Sequence, residues 1–204
     1  MTSDDEATWV RRLKQGDEAA FERLIDTYYG AMLRLARSLC PDPATAEDVV
    51  QETWFAILSA IARFEGRSTL KTWIFAILTN QARKRAAKDR RFAAWLLGDT
   101  TEDEAIAGPD CATAQAAMSP WPLDAEAKVH RDQVLTIVQE AIENLPSNQR
   151  TVVILRDIEG LEPAEVCELL KITDGNQRVL LHRGRVSIRN TADQALNPNP
   201  EMSR

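Results

Sequence analysis

Six side chains near the C-terminus have the chemistry needed to read nucleic acid. Asparagine, glutamine and arginine can form paired hydrogen bonds with purine edges in the major groove, and further arginines can hold phosphates. These groups follow one another within one short stretch: Asn176, Gln177, Arg178, His182, Arg183 and Arg185. On the outer face of a helix they would form a DNA-reading surface. The alternative is a solvated basic helix packed in the helical bundle of an enzyme.

A helix-turn-helix would place these side chains on such a face. Residues 160–185 predict a short helix over 163–170, a tight turn, and a longer basic helix over about 174–192. Thr173 or Asp174 suits the start of the longer helix, because a short oxygen side chain can accept from its first free backbone amides. The apolar residues of the segment are expected to fix the angle between the two helices.

Charge is distributed unevenly along the chain, whose net charge is -6. Residues 83–91 hold six basic side chains and one acid, and residues 176–190 hold four arginines and no acid. Residues 92–127 hold seven acids and no base. Because phosphate binding depends on local charge, this pattern predicts two basic surfaces joined by an acidic connector.

A polar stripe beside an aromatic side chain lies on another predicted helix. Asp48, Gln51 and Glu52 are spaced three and four residues apart, and Phe55 follows one turn later. Polar groups around an exposed aromatic are typical of a protein-docking face. The alternative is that the two carboxylates only favour the start of the helix through its dipole.

Apolar residues recur three and four apart through most of the chain, which predicts an all-α protein. Gly and Pro residues divide the N-terminal part into four helices, over 6–14, 17–39, 44–63 and 69–94. The C-terminal part begins with helices over 124–142 and 147–158. The predicted organisation is two small helical domains joined by a flexible acidic linker. The first domain covers residues 1–95, the linker 96–127, and the second domain, which contains the helix-turn-helix, 128–195. Residues 196–204 are predicted to be a disordered tail.

Several classes of function lack support in the sequence. The N-terminal residues do not resemble a signal peptide, and no stretch approaches the roughly 20 apolar residues of a membrane span. We therefore expect a cytoplasmic protein without membrane insertion. Cys40, Cys111 and Cys167, with His130 and His182, form neither a disulfide framework nor a spaced metal site. Without a nucleophile-base pair or a Gly-rich phosphate loop, we expect no enzyme activity, no metal and no cofactor.

Two stretches resemble one protein family. Residues 44–91, with the polar stripe and the run from Arg63 to Asn80, resemble region 2 of extracytoplasmic-function (ECF) sigma factors of the sigma-70 family. Residues 145–189, with the string over 176–183, resemble region 4 of the same family. The resemblance implies a factor that directs core RNA polymerase to specific promoters and initiates transcription.

The resemblance also implies roles for individual residues of the first domain. In similar proteins the polar stripe docks on core RNA polymerase, at the coiled coil of its beta-prime subunit, and we expect contacts with the beta and beta-prime subunits here. The loop from Phe64 to Leu70, with Asn80 behind it, resembles the pocket that captures a base flipped from the minus-ten element. The basic run that follows is expected to hold DNA phosphates, and Arg85 is included in that expectation. The loop and the basic run together form the predicted minus-ten DNA-binding set: Phe64, Arg67, Ser68, Lys71, Asn80, Arg83, Lys84, Lys88, Arg90 and Arg91.

In the second domain, the six side chains near the C-terminus are implied to read the minus-thirty-five element. Lys171 stands where similar proteins commonly have Gly, and Gly184 stands where they usually have Ala. The resemblance implies that the acidic linker enters the polymerase channel that later carries RNA; the alternative is that it serves only as a flexible tether.

Control by an anti-sigma factor that clamps between the two domains is also expected. The alternative function is a stand-alone helix-turn-helix transcriptional regulator, which would leave the first domain unexplained.

Overall fold

The computed structural model describes residues 3–97 and 127–196, with side chains for residues 5–89 and 134–195. Every regular element in these ranges is a helix, so the predicted all-α class is confirmed. Residues 98–126, which make up most of the predicted linker, and residues 197–204 of the predicted tail lie outside the described residues.

Four helices form the N-terminal unit: α1 Ser3–Lys14, α2 Glu18–Leu39, α3 Pro43–Ala60 and α4 Leu70–Leu97. A 3-10 turn over Ile61–Arg63 extends α3. The predicted breaks are confirmed at Gly16 and Gly66, whose φ angles of 76° and 72° are left-handed values that favour glycine. Asp17 and Asp42 cap α2 and α3 by accepting from the backbone amides of Ala20 at 3.1 Å and Thr45 at 2.9 Å.

The C-terminal unit contains α5 Ala127–Glu143, α6 Ser147–Val153, α7 Pro163–Leu170 and α8 Asp174–Leu196. A π-helical turn over Ile154–Ile158 continues α6. Thr173 Oγ1 accepts from the amide of Asn176 at 3.2 Å, which makes Thr173 the N-cap of α8, one of the two residues that the sequence offered.

Apolar side chains hold each unit together and also join the two units. Within α2–α4 the largest fully buried side chains are Leu24, Met32, Leu35, Ile57, Leu70, Ile74, Phe75 and Leu78. Burial of each such side chain contributes about 1.5–3 kcal/mol relative to exposure. Leu155, Leu161, Val166 and Leu169 of the C-terminal unit belong to the same buried cluster. The units therefore pack on each other, a contact that the sequence did not predict.

Candidate docking and nucleic-acid surfaces

The polar stripe predicted for protein docking lies on the solvent side of α3. The opposite side of this helix is buried in the core: Ala46, Val49, Val50, Thr53 and Ile57. Asp48, Gln51 and Glu52 are exposed, and Phe55 keeps 71% of its surface accessible. Leu58, one turn beyond Phe55, is 52% exposed and extends the apolar end of the stripe. Exposed aromatic and aliphatic side chains among polar neighbours are typical of interfaces.

Arg85 completes this surface from the neighbouring helix α4. Its Nη1 lies 3.5 Å from an Asp48 carboxylate oxygen and 3.9 Å from a Glu52 oxygen, and its Nε lies 3.4 Å from Asp89. The sequence interpretation gave Arg85 to DNA phosphates, whereas in the structure it neutralises carboxylates of the docking stripe. Only the packing of α4 on α3 reveals this contact, because the residues are 37 positions apart.

The loop between α3 and α4 divides into a buried and an exposed part. Phe64 is only 6% exposed, and its ring centroid lies 5.0 Å from that of Trp73. The ring fills the core and is not accessible to DNA in this arrangement, so the contact of Phe64 with DNA stays a prediction. Arg67 and Ser68 are exposed, and Arg67 pairs with Glu65 at 2.6 Å. Asn80 lies about 15 Å along α4 from the loop, at 1.5 Å per helical residue.

The basic part of α4 presents one exposed row and one half-buried arginine. Asn80, Lys84 and Lys88 are exposed and, being four residues apart, lie on one side of the helix. Arg83 is half-buried, donates to the Leu169 carbonyl of the C-terminal unit at 2.7 Å, and has its pKa lowered by burial. The side chains of Arg90 and Arg91 lie outside the described residues.

The second basic surface is built by α7, a tight turn and α8. Glu162 and Glu165 form a capping box at the start of α7, and Lys171 ends this helix with a φ of 55°. That left-handed value explains why glycine is common in this turn, since a Cβ there costs about 1–2 kcal/mol. Five of the six predicted side chains of α8 are exposed: Asn176, Arg178, His182, Arg183 and Arg185.

Gln177 does not lie on the outer face where the sequence interpretation placed it. Its residue surface is 2% exposed, and its Nε2 has no hydrogen-bond partner in the described part of the chain. Gln177 lies in the interior of the unit in which α8 packs against α5, α6 and α7. In this structure Gln177 is therefore not accessible to DNA, and its contact with DNA stays a prediction.

Arg185 is held by a partner within the chain. Its guanidinium makes two bonds to the Asp157 carboxylate, from Nε at 2.9 Å and from Nη2 at 2.6 Å, which raises the pKa of Arg185. Two parallel bonds of this kind fix the geometry of a planar arginine. The pair ties α8 to the π-helical turn, and 57% of the Arg185 side chain stays exposed. Arg178 pairs with Asp174 at 2.6 Å and is 76% exposed.

A groove of about 1070 Å³ separates the two units on one side. Its lining includes Arg34 and Arg37 of α2, Arg150 of α6 and the side chain of Ile158, which is 44% exposed. In the described side chains, no group of three or more His, Cys, Asp or Glu residues could hold a metal ion. None of the helices in the described ranges is long and apolar enough to span a membrane.

Two protein-family models match the chain, one in each unit. The model described as Sigma-70 region 2 matches residues 24–97, and the model described as Sigma-70, region 4 matches residues 135–188. The chain belongs to the sigma-70 family.

The RNA polymerase sigma-H factor of Pseudomonas aeruginosa is 29% identical over 97% of both chains. The ECF RNA polymerase sigma factor SigW of Bacillus subtilis is 27% identical over 88% of this chain and 92% of its own. The predicted ECF membership is confirmed, and we call α1–α4 the region 2 domain and α5–α8 the region 4 domain.

Two solved structures share the fold of this sigma factor. The structure of CnrH in complex with the cytosolic domain of CnrY has a TM-score of 0.53 at 18% identity, over 92% of this chain and 97% of CnrH. The sigma factor RpoE in complex with the anti-sigma factor NepR from Bartonella quintana has a TM-score of 0.56 at 22% identity, over 84% of this chain and 95% of RpoE. At these identities the likeness concerns the fold alone.

Proposed function

We propose that this ECF sigma factor directs core RNA polymerase to specific promoters and initiates transcription there. The observation that carries the proposal is one exposed docking stripe on α3 in the same chain as separate cationic surfaces on α4 and α8. A stand-alone helix-turn-helix regulator would need only the surface on α8. We further propose that the protein works in the cytoplasm and catalyses no reaction itself.

Each surface receives one role in this proposal. Residues 1–95 dock on polymerase through the α3 stripe and bind the minus-ten element, and residues 128–195 bind the minus-thirty-five element. The minus-ten contacts are assigned to Arg67, Ser68, Lys71, Asn80, Arg83, Lys84, Lys88, Arg90 and Arg91. The minus-thirty-five contacts are assigned to Asn176, Arg178, His182, Arg183 and the exposed part of Arg185.

Reconstituted transcription tests the proposal directly. Core RNA polymerase would be mixed with the purified chain and genomic DNA fragments, and the start sites of the transcripts would be sequenced. We expect new start sites that share two upstream elements. A chain that binds one duplex operator tightly without polymerase, and adds no start sites with it, would instead be a stand-alone regulator.

Truncation of the docking stripe should weaken the complex with core polymerase. We expect Phe55→Ala combined with Asp48→Asn to lower the affinity for core enzyme about tenfold or more, because an exposed aromatic in a charged surround is a typical hot spot. The free energy of unfolding should stay nearly unchanged, since both side chains are exposed. Affinity would be measured by fluorescence anisotropy with labelled chain.

The matched control is Asp26→Asn, which removes an exposed carboxylate from α2, away from the stripe. This variant should bind core polymerase like the parent chain. Equal binding by all three chains would show that α3 is not the docking surface.

We also propose that an anti-sigma factor controls this chain. The groove between the domains supports the proposal, because the exposed Arg37 and the exposed Ile158 in its lining suit an amphipathic helix that carries an acidic side chain. Purification from native cells should return the chain with such a partner as well as with polymerase. Repeated recovery with core polymerase alone would contradict this proposal.

A further inference from the structure

The exposed loop before α4 is fixed at both of its ends. At the first end, the ring of Phe64 is buried beside that of Trp73. At the second end, Leu70 begins α4 and has a residue surface that is 0% exposed. Residues 65–69 between these anchors are all exposed, and we call them the minus-ten loop, because they include side chains assigned above to minus-ten DNA. The shape of this loop therefore depends on how its two ends are held.

A residue of α1 holds the backbone amide of Leu70. This amide donates to a carboxylate oxygen of Glu6 at 2.6 Å, although the two residues are 64 positions apart. The first amides of a helix have no acceptor within the helix, so they need partners from outside it. Thr69 Oγ1 accepts from the amide of Thr72 at 3.1 Å, and Glu6 accepts from that of Leu70. A carboxylate suits this place, because the N-terminal end of the helix dipole also attracts negative charge.

The packing of α1 keeps Glu6 in this position. Trp9 lies three residues further on and therefore on the same side of α1. Its ring stacks on that of Tyr28 with centroids 6.1 Å apart, and its Nε1 donates to the Ala20 carbonyl at 3.0 Å. Burial raises the pKa of Tyr28 to about 12, and the charge of Glu6 contributes to this rise. The Glu6 carboxylate is thus held beside α2 as well as at the start of α4.

We propose that Glu6 is a positioning residue for recognition of the minus-ten element: its carboxylate fixes the start of α4 and thereby the shape of the minus-ten loop. Glu6 acts through the loop and does not contact DNA. Without the carboxylate the amide of Leu70 loses its acceptor, so the first turn of α4 is held less firmly. The role in promoter recognition rests on the proposed function, whereas the contact between Glu6 and Leu70 does not.

Amide hydrogen exchange of the full chain, measured by NMR, tests the contact. Glu6→Ala should speed the exchange of the Leu70 amide proton about tenfold or more, because this amide loses its acceptor. Glu6→Gln keeps a carbonyl oxygen that can accept the same hydrogen bond, so it should restore most of the slow exchange. Glu22→Ala removes an exposed carboxylate of α2 and should exchange like the parent chain. Equally slow exchange of Leu70 in Glu6→Ala and the parent would overturn the contact.

A discrimination ratio tests the role in recognition. Holoenzyme reconstituted with each variant would transcribe a promoter found by the start-site sequencing above, and the same promoter with its most strongly preferred minus-ten base replaced. The ratio of the two transcript yields is the measurement. A variant that is only less stable loses activity on both templates alike and keeps the ratio of the parent. We expect Glu6→Ala to lower the ratio about fivefold or more, since a misplaced loop distinguishes bases poorly, and Glu6→Gln to restore most of it.

The possible failures are distinguishable. Faster exchange at Leu70 with an unchanged discrimination ratio would overturn the positioning role and leave the proposed function intact. An equal loss of discrimination in Glu6→Gln would overturn the hydrogen bond to Leu70 as its cause. A parent chain that initiates no transcription with core polymerase would instead overturn the proposed function, while the exchange experiment would still report on the contact.

Discussion

At the scale of the residue, Gly184 limits how closely α8 and α6 can pack. It lies in the interior of α8, where glycine is less favourable than alanine by about 1 kcal/mol. A Cβ at this position would lie 2.7 Å from Cγ2 of Val153 and 3.6 Å from Cδ1 of Leu145. Val153 is buried and β-branched, so its methyl group cannot easily turn aside. Glycine therefore allows α8 to approach α6 more closely than alanine would.

Alanine substitutions at two glycines of α8 should have opposite effects. Gly184→Ala should lower the free energy of unfolding by about 1–3 kcal/mol, because the added methyl group overpacks the contact with Val153. Gly175→Ala should raise it by about 0.5 kcal/mol, since nothing lies within 4 Å of the added methyl group. Urea denaturation followed by circular dichroism would measure both changes. Val153→Ala should restore part of the stability lost in Gly184→Ala, and stabilisation by Gly184→Ala alone would contradict the packing argument.

At the scale of the element, the ends of α2 and α3 depend on charged caps. The pKa of Asp17 is lowered by the side-chain hydrogen bond from Arg12 and by backbone amides of α2. The pKa of Asp42 is lowered by the backbone amide and the hydroxyl of Thr45. In both cases the charged carboxylate is the form that the folded chain favours.

Because the charged form of Asp42 caps α3, we expect the free energy of unfolding to fall in acid. The folded-state pKa of Asp42 lies below the unfolded value of about 3.9, so its stabilisation is complete above that pH and is lost as the pH falls through the lowered pKa. Asp42→Asn keeps a good N-cap and removes the titration. Its free energy of unfolding should fall less than that of the parent between about pH 5 and about pH 2.5. Urea titrations at each pH would measure this, with Asp26→Asn expected to follow the parent. A parallel fall for the parent and Asp42→Asn would contradict the role of the charge.

At the scale of the whole molecule, the distribution of charge matters more than its sum. The chain carries a net charge of -6, yet Lys84 and Lys88 form an exposed row on α4, and Arg178 and Arg183 are exposed on α8. Each cation that holds a phosphate releases counterions, so promoter binding by the holoenzyme should weaken steeply with salt.

Single lysine substitutions should change this salt dependence in small steps. Lys84→Gln and Lys88→Gln should each reduce the slope of log affinity against log salt by about one, because each removes one phosphate contact. Lys14→Gln, an exposed lysine at the end of α1, should leave the slope unchanged. The measurement is promoter binding by the reconstituted holoenzyme over a series of salt concentrations. A slope that is the same for all four chains would show that α4 does not contact DNA phosphates.

The closed packing of the two domains also belongs to this scale. It brings together residues that are far apart in the chain, such as Arg34 and Glu159, which are separated by 125 positions. It buries Leu155 and Leu161 against helices of the region 2 domain. The packing of the two domains therefore depends on contacts between distant parts of the chain.

The sequence alone determined the helices, because helix formation is a local property. Apolar residues three and four apart, turn glycines such as Gly16, and caps such as Thr173 predicted the bounds of the elements to within a few residues. The exposed position of Phe55 also followed from helical periodicity.

Tertiary structure decided which neighbour covers each helix face. Periodicity states which residues share a face, but it does not state what packs there, so polar Gln177 was expected outside and is buried. Arg85 and Lys71 were both assigned to DNA from their charge, and each has a carboxylate partner from a distant part of the chain. Such partners are chosen by packing between helices, which depends on the whole fold and on no single segment.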